Sequence, residues 1–431
     1  MILRKTFALL LSTALVTFAK VAPPLPAELA DYDLTEAPEP SVTLKKGDRL
    51  AICGDSITEQ KQYSVLIETY LTACLPELEI TCRQFGWSGE QISGFLPRMD
   101  NDVLRFKPTV ATTCYGMNDF RYIPFDEGVA KEYRDNTRLM AEKFKAAGAR
   151  PVIGSSGIID SVPHWVKDAK GDKKDLNLSL SKFRNIALEV ANEEEVGFAD
   201  VYRPMLIADL RAKEAFGEDF KVTGKDGVHP AWAGHAIMAY AFLKALGVDG
   251  EIGTITWNEG TGKSTATDGH KILSSEGGEI SVESTRLPFA PGTGPLDRDD
   301  SLRAGMALVP FDATLNRFIL KIAEHESETY TVTWGAESKT YTAEQLHNGI
   351  NLAAEFENNP LVAPFQKIRE AVAAKQAFET HQIKELVHGE AGKADMEGTF
   401  ESSEKEREVL VKKLAETVQP AGHVILIKPA A

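Results

Sequence analysis

Positive charge is outnumbered by negative charge in this sequence. Lys and Arg number 48 against 63 Asp and Glu, which leaves a formal net charge of −15 over 431 residues. This excess of negative charge disfavours nucleic acid and anionic membrane surfaces as partners. Cysteine is also rare, with four residues in the chain, and no Cys/His cluster has the spacing of a zinc site, so no metal is predicted. The other proportions, 43% hydrophobic and 26% charged, are typical of a globular protein.

Long apolar runs are missing after the N-terminus, and the N-terminal run is itself short. Arg4 and Lys5 precede an apolar stretch over residues 6–18, which falls short of the roughly 20 residues that a membrane span needs. Small residues follow at the usual cleavage spacing. The sequence therefore predicts a signal peptide over 1–19, a tail over 20–45, and an exported protein without stable membrane insertion.

The four cysteines fall into two pairs. Cys53 and Cys114 stand at the ends of two predicted core strands, where we expect buried thiols. Cys74 ends a predicted helix and Cys82 lies in the next strand. Because disulfides form in exported proteins, a short bridge between Cys74 and Cys82 is the alternative to two further free thiols.

Apolar strand segments alternate with helical segments in the first half of the chain. The strand segments are 50–53, 80–85, 110–115, 151–155 and 196–200. The helical segments are 60–75, 129–147, 178–194 and 231–246. This alternation predicts an α/β fold in which a doubly wound parallel sheet lies between two layers of helices. In such sheets the functional site lies beyond the carboxyl ends of the strands.

The pattern changes after Asp249. Glycine-rich turns separate β-prone segments at 254–257, 279–282, 317–322, 330–334 and 339–341. Two helical segments (362–388 and 402–417) and a closing strand (423–427) follow. The sequence thus predicts a C-terminal β-plus-α appendage over 249–431, whose role it does not reveal. The charges near Lys367–Lys384 predict a helix face that is exposed to solvent.

Four short segments carry the residue types that ester hydrolysis through an acyl-enzyme requires. They are Gly54-Asp55-Ser56, Trp87-Ser88-Gly89, Gly116-Met117-Asn118-Asp119 and Asp226-Gly227-Val228-His229. Ser56 follows the first strand where the chain turns toward a helix, a position that exposes its hydroxyl. Asp226 and His229 are three residues apart, close enough for the carboxylate to face one imidazole nitrogen.

Gly89 and Asn118 fit the binding of an oxyanion. A glycine amide approaches a substrate without a side chain in the way, and an asparagine NH2 is a neutral donor. Gly86 is an alternative to Gly89, and a turn cap is the alternative role of Asn118. Residues beside these segments are candidate substrate contacts or core packing: Trp87, Tyr115, Met117, Phe120 and Tyr122.

Three further polar residues near these segments are expected to be structural. His235 lies inside the last predicted helix of the α/β unit. Asp55 and Asp119 adjoin the candidate reactive residues, and we expect them to fix loops by hydrogen bonding.

The four segments resemble the sequence blocks of the SGNH/GDSL hydrolase family. The family's Ser, Gly, Asn and His match Ser56, Gly89, Asn118 and His229, with Asp226 as the triad acid. The resemblance covers roughly residues 46–247, predicts a hydrolase domain over 46–248, and implies a flavodoxin-like fold and a serine esterase that needs no cofactor. In that mechanism Ser56, Asp226 and His229 are catalytic, and Ser56, Gly89 and Asn118 form the oxyanion hole.

These inferences lead to the hypothesis of an exported serine esterase that acts on small-molecule or glycan esters, with acetyl or other short-acyl esters of carbohydrates preferred. A lipase or thioesterase, an O-acyltransferase that uses the same triad, and a non-catalytic glycan-binding protein are the alternatives.

Overall fold

The first sheet of the computed structural model, which describes residues 25–430, contains five parallel strands. Their order is β2-β1-β3-β4-β5. The strands are β1 (Arg49–Gly54), β2 (Thr81–Gly86), β3 (Val110–Cys114), β4 (Arg150–Gly154) and β5 (Gly197–Ala199). This arrangement confirms the predicted doubly wound α/β fold. The predicted signal peptide lies outside the described residues.

Helices cover both faces of this sheet. In chain order they are α1 (Ser56–Glu59), α2 (Tyr63–Ala73), α3 (Ile92–Asp102), α4 (Glu127–Ala146), α5 (Lys173–Glu193), α6 (Tyr202–Phe216) and α7 (Trp232–Ala245). Helices α2, α6 and α7 pack together in one layer, and α3, α4 and α5 form the other. All five residues of β3 are buried, as a central strand covered on both faces requires.

Amphipathic spacing explains why these segments are helical. In α4 the buried side chains recur three or four residues apart, as Val129, Tyr133, Thr137, Met140 and Phe144 show. Asp126 caps the helix by accepting the backbone N–H of Val129 at 2.9 Å. The sequence pattern did not predict α3, which contains Pro97, or α6.

Two more sheets form the C-terminal region, which we define as residues 249–430. Their strand orders are β13-β10-β6-β7 and β12-β11-β14-β9-β8. The strands are β6 (Glu251–Asn258), β7 (Lys263–Ala266), β8 (His270–Glu276), β9 (Glu279–Ser284), β10 (Arg317–Ile322), β11 (Thr329–Trp334), β12 (Glu337–Thr342), β13 (Ile350–Asn351) and β14 (Ala421–Pro429). The extra sheets confirm the predicted β-rich appendage.

Helices complete the C-terminal region. They are α8 (Leu302–Leu308), α9 (Phe311–Leu315), α10 (Ala343–Asn348), α11 (Leu352–Glu355), α12 (Val362–His381), α13 (Glu390–Ala394) and α14 (Met396–Thr417). A π-helical segment, Gln382–Val387, continues α12. Among helices within residues 25–430, none combines the length and the apolar character that crossing a bilayer demands.

A buried charge cluster joins the C-terminal region to the first sheet. Helix α12 packs on α2 and on the edge strand β2. The Nζ of Lys375 lies 2.6 Å from Glu379 and 3.1 Å from Glu68 of α2, and it donates to Cys82 O at 2.9 Å. The prediction of a solvent-exposed helix face near 367–384 is therefore wrong for Lys375 and Glu379. Both side chains are buried, which is tolerated because the cluster pairs their charges.

The four cysteines are all free thiols buried in the core. The expectation for Cys53 and Cys114 is confirmed, and the alternative bridge between Cys74 and Cys82 is not formed. Burial raises the pKa of each of these thiols because an apolar environment disfavours the thiolate.

We expect the native protein to react with no equivalent of a thiol-specific disulfide reagent, because buried thiols are protonated and inaccessible. After unfolding in guanidinium chloride without reductant, all four thiols of the sequence should react. The measurement is a 5,5′-dithiobis(2-nitrobenzoate) titration in each state. Two reactive thiols instead of four after unfolding would show a disulfide and contradict the structure.

Candidate active site

The carboxyl ends of β1, β2 and β3 lie side by side, because the three strands are parallel. Gly54 at the end of β1 pairs with Gly86 of β2 and with Cys114 of β3. The segments that follow these strands therefore leave the sheet at one edge, where ligands bind in open parallel sheets. These segments contain Ser56, Gly89 and Asn118.

Ser56, His229 and Asp226 form a continuous hydrogen-bonded chain. The Nε2 of His229 is 2.7 Å from Ser56 Oγ, and its Nδ1 is 2.8 Å from Asp226 Oδ2. A carboxylate beside Nδ1 favours the tautomer with a proton on that nitrogen, so Nε2 accepts the hydrogen bond from the serine hydroxyl. This arrangement can take a proton from Ser56 and return it to a leaving group.

A tight turn aims Asp226 at the ring of His229. Asp226 Oδ1 accepts the backbone N–H groups of Val228 and His229 at 3.0 and 2.8 Å. Gly227 has a φ of +87°, and a Cβ there would lie 2.2 Å from Ser161 Oγ. Burial opposes the ionisation of Asp226, but the two amides and the imidazole outweigh it and hold its pKa below the usual range. Asp226 is therefore a carboxylate that can balance a charged imidazole.

Two donors suited to an oxyanion lie at the same edge. Gly89 has a φ of +73°, and within residues 25–430 its backbone N–H has no hydrogen-bond partner. Asn118 Nδ2 donates to Glu90 O at 3.1 Å and to Asp55 Oδ2 at 3.4 Å. The second bond is long and therefore weak, so the Nδ2–H that makes it is available to a substrate oxygen.

A buried arginine holds the loop after Gly89. Arg98 Nε and Nη2 donate to the two carboxylate oxygens of Glu90 at 2.6 and 2.7 Å. The hydroxyl of Tyr115 donates to the same carboxylate at 2.9 Å. A bidentate pair of this kind fixes geometry as well as charge. Gly86, the alternative to Gly89, is the last residue of β2 and pairs with β1.

Asp55 and Asp119 anchor backbone, in agreement with their expected structural role. Asp119 accepts the N–H groups of Ile92 and Gly116 at 3.0 and 2.9 Å. Asp55 Oδ1 accepts the N–H of Ile57 at 3.0 Å. Burial raises the pKa of Asp55 to about 7 and that of Asp119 to about 6, even though these backbone donors stabilise the charged forms.

A cleft of about 360 Å³ opens over Ser56. Of the candidate substrate contacts, Met117 lines this cleft, as does Tyr122. Tyr115 is instead buried in the core, and Trp87 packs against the C-terminal region. The structure therefore does not place Tyr115 and Trp87 in the wall of the cleft.

The cleft also contains residues that the sequence pattern did not indicate. The indole of Trp165 is 45% exposed, and its ring centre lies 5.6 Å from that of His229. It belongs to a segment between β4 and α5 that has neither helical nor strand periodicity, so only its residue type could have drawn attention to it. The other unpredicted lining residues are Ile57, Glu59, Gln60, Ser88 and Val228.

His235 is a structural histidine. Its ring is fully buried, Nδ1 accepts the N–H of Tyr63 at 3.3 Å, and Nε2 lies 3.2 Å from Gln60 Oε1. This pattern requires the neutral ring with a proton on Nε2. Burial, together with the nearby His229, lowers the pKa of His235 to about 3. Within residues 25–430, no group of His, Cys, Asp and Glu side chains could hold a metal ion.

Comparison with known proteins identifies the class. Residues 52–237 match the model of the GDSL-like lipase/acylhydrolase family. The chain is 26% identical over 226 residues to an acetylxylan esterase from Geobacillus stearothermophilus, a match that covers 47% of this chain and 95% of the relative. A crystal structure of an acetylxylan esterase from the same organism covers 48% of this chain and 97% of its own, with a TM-score of 0.39 and 23% identity.

A second solved structure resembles nearly the whole chain. A gut microbial diltiazem-metabolizing enzyme aligns with 91% of this chain and 100% of its own, with a TM-score of 0.71 and 22% identity. The likeness therefore extends beyond the first sheet into the C-terminal region. The shared property is the fold, since identity at this level does not transfer an activity.

The α/β fold and the family match define a serine carboxylic ester hydrolase. Residues 52–237 belong to the SGNH/GDSL hydrolase family.

Replacement of His235 by asparagine should weaken the pH dependence of stability. Folded His235 stays neutral down to its pKa of about 3, whereas an unfolded histidine takes up a proton near pH 6.5. Between about pH 6.5 and pH 3 the unfolded state thus binds more protons than the folded state. The contribution of His235 to stability therefore falls as pH falls through this range. Melting temperatures at pH 7 and pH 5 should differ less in His235→Asn than in wild type. An equal difference in both proteins would contradict the neutral buried ring.

Proposed function

We propose that this protein is an exported esterase that hydrolyses short-acyl esters of carbohydrates through an acyl-enzyme on Ser56. The observation that carries the proposal is the chain from Ser56 Oγ to His229 Nε2 at 2.7 Å and from His229 Nδ1 to Asp226 at 2.8 Å. The domain boundaries that fit this proposal are a hydrolase domain over 46–248 and an appended region over 249–431, after a signal peptide over 1–19.

The proposed reaction has two acyl-transfer steps. His229 takes the proton of Ser56 as Oγ attacks the ester carbonyl carbon, and it then gives that proton to the leaving alcohol. Asp226 orients the imidazole and stabilises its charged form. A water molecule then attacks the acyl-enzyme, His229 takes its proton, and Ser56 leaves with that proton as the acid is released. No cofactor takes part in the steps proposed here.

Three donors are proposed to bind the oxyanion of each tetrahedral intermediate. These are the backbone amides of Ser56 and Gly89 and the side-chain amide of Asn118. The unpartnered N–H of Gly89 and the long bond from Asn118 to Asp55 support this role, because both donors can serve a substrate at little cost. The Glu90–Arg98 pair holds the loop after Gly89, and Glu90 O accepts a hydrogen bond from Asn118 Nδ2, so this pair supports two of the three donors.

Trp165 supports the carbohydrate preference. An exposed indole next to the proposed base offers an apolar face with a polar edge, which suits the C–H face and the hydroxyls of a sugar ring. The cleft of about 360 Å³ is small, which favours a short acyl group. The acetylxylan esterase relative, at 26% identity, is consistent with both preferences.

The first test is hydrolysis of 4-nitrophenyl acetate and its longer-chain homologues. We expect acetate to be preferred, Ser56→Ala to abolish turnover, and Asn118→Ala to lower kcat by about 10²–10³-fold, the usual loss for one oxyanion donor. Ser402→Ala, a change of an exposed serine on α14, is the control and should be neutral. Activity that survives in Ser56→Ala would refute the nucleophile, and an unchanged kcat in Asn118→Ala would refute its donor role.

The second test distinguishes recognition of the sugar from recognition of the acyl group. Trp165→Ala should lower kcat/KM for acetylated xylo-oligosaccharides by about tenfold, the loss expected from one aromatic contact of about 1.4 kcal/mol. The same variant should leave kcat/KM for 4-nitrophenyl acetate within about twofold of wild type, because stacking of the sugar is then absent. Phe216→Ala removes an aromatic ring that is 42% exposed on α6 and serves as the matched control. Equal effects of Trp165→Ala on both substrates would contradict a sugar platform.

A further inference from the structure

The π-helical segment at the end of α12 reaches the candidate active site from the C-terminal region. The Nζ of Lys384, in this segment, lies 2.7 and 2.9 Å from the two carboxylate oxygens of Glu59. Both side chains are largely sheltered, with exposed fractions of 26% and 19%. A π-turn changes the direction of the side chains on a helix and often occurs at functional sites.

Glu59 links Lys384 to the loop that contains Gly89. It lies in α1, three residues after Ser56, and its carboxylate accepts the backbone N–H of Ser88. The preceding amide, that of Trp87, donates to Gly54 O at 2.9 Å. Two consecutive amides are thus anchored, one by the end of β1 and one by Glu59, and the next amide is the unpartnered N–H of Gly89.

The same segment of chain also packs against the ring of Trp87. Lys384 Nζ lies 5.1 Å from the centre of this ring, within the range of a cation–π contact. The ring of His388 meets the indole edge-on at 5.0 Å, and its Nε2 lies 2.8 Å from Asp102. The backbone and the side chain of the loop are therefore both in contact with the C-terminal region.

The charge of Lys384 keeps Glu59 in the form that can hold Ser88. Burial alone would favour the neutral acid, but the bonds from Lys384 and Ser88 outweigh it and lower the pKa of Glu59. Without the ammonium group, the partly buried carboxylate would lose its ion-pair partner, since the ammonium of nearby Lys61 donates to the backbone oxygen of Glu59 instead, and it would move toward solvent or take up a proton. Either change would weaken its hold on the Ser88 amide.

We propose that Lys384 is a positioning residue for ester hydrolysis, which acts through Glu59 to hold the Ser88–Gly89 backbone as an oxyanion donor. This inference rests on the proposed function, because it assigns the Gly89 amide to the oxyanion. It also gives the C-terminal region a role in the reaction, namely to fix the donor loop through Glu59.

The test is a comparison of Lys384→Met with wild type on 4-nitrophenyl acetate, with kcat corrected for the fraction of active sites. Met retains most of the side-chain length and loses the charge. We expect kcat to fall about tenfold, less than the 10²–10³-fold loss of a whole oxyanion donor, while KM stays within about twofold. The affinity for an alkyl boronic acid, whose serine adduct is tetrahedral, should fall in parallel with kcat. Lys384→Arg should restore most of both.

Glu397→Gln is the matched control. It removes the 2.6 Å ion pair from Arg105 to Glu397 of α14, which also joins the C-terminal region to the first part of the chain, but Glu397 has no contact with the Ser88–Gly89 loop. Its kcat should equal that of wild type. If loss of any ion pair between the C-terminal region and the first part of the chain lowered activity, kcat would fall in both Lys384→Met and Glu397→Gln. That result would overturn the specific role of Lys384.

A second variant, Glu59→Gln, tests the same proposal and can be used even if Lys384→Met does not fold. Glu59→Gln keeps an acceptor for the Ser88 amide but loses the ion pair, so it should lower kcat in the same direction. Where both variants fold, the double variant should show no further loss, because the two residues act in one chain. An unchanged kcat in Lys384→Met or in Glu59→Gln would refute the positioning role, while Ser56-dependent turnover would still support the proposed esterase. Absence of that turnover in wild type would refute the proposed function itself.

Discussion

The constraint on which the site depends is the close approach of α1 to the ends of β1 and β2. Gly54 and Gly86 end these strands side by side. A Cβ on Gly54 would lie 2.1 Å from Thr58 Oγ1, and one on Gly86 would lie 2.3 Å from the backbone nitrogen of Glu59. Both contacts are shorter than atoms allow, so only glycine lets α1 cross directly over the strand ends. This short helix places Ser56 beside His229 and Glu59 beside Ser88. Two series of contacts therefore begin on α1, one that runs through His229 to Asp226 and one that runs through Glu59 to Lys384.

One of these series links the site to the C-terminal region, and the buried charges of α12 determine its position. Lys375 lies between Glu68 of α2 and Glu379 of its own helix. Such a cluster is strongly destabilised when one partner is missing, because a charge then stays buried without compensation. A shift of α12 along α2 would separate Lys375 from Glu68 and leave buried charges without partners. The cluster therefore favours one packing arrangement of α12 on α2. The π-helical segment with Lys384 continues α12 without a break and is held in the corresponding place.

Local patterns in the sequence account for most of the fold. The strands 110–114 and 317–322 were predicted because their apolar character is a property of the segments themselves. Helix α3 was missed because Pro97 interrupts a helical signal, and the exposed face expected for Lys375 was wrong because its partner Glu68 lies far away in the chain. The triad and oxyanion residues could be proposed from the sequence because each follows a strand end or precedes a helix. The sequence left Tyr115 open between substrate contact and core packing and gave no sign of Trp165, because the direction of a side chain depends on tertiary packing.

Three of the carboxyl groups around the proposed oxyanion hole have their negative charge paired or reduced. Several carboxyl groups support the loops there, and a negative charge near a developing oxyanion would oppose the reaction. Glu59 is paired with Lys384 and Glu90 with Arg98. Asp55, which lies 3.4 Å from Asn118 Nδ2, is kept partly neutral near pH 7 because burial raises its pKa to about 7. The loops thus gain the strong hydrogen bonds of carboxyl groups, while the two cations and the burial of Asp55 limit the negative charge that faces the substrate.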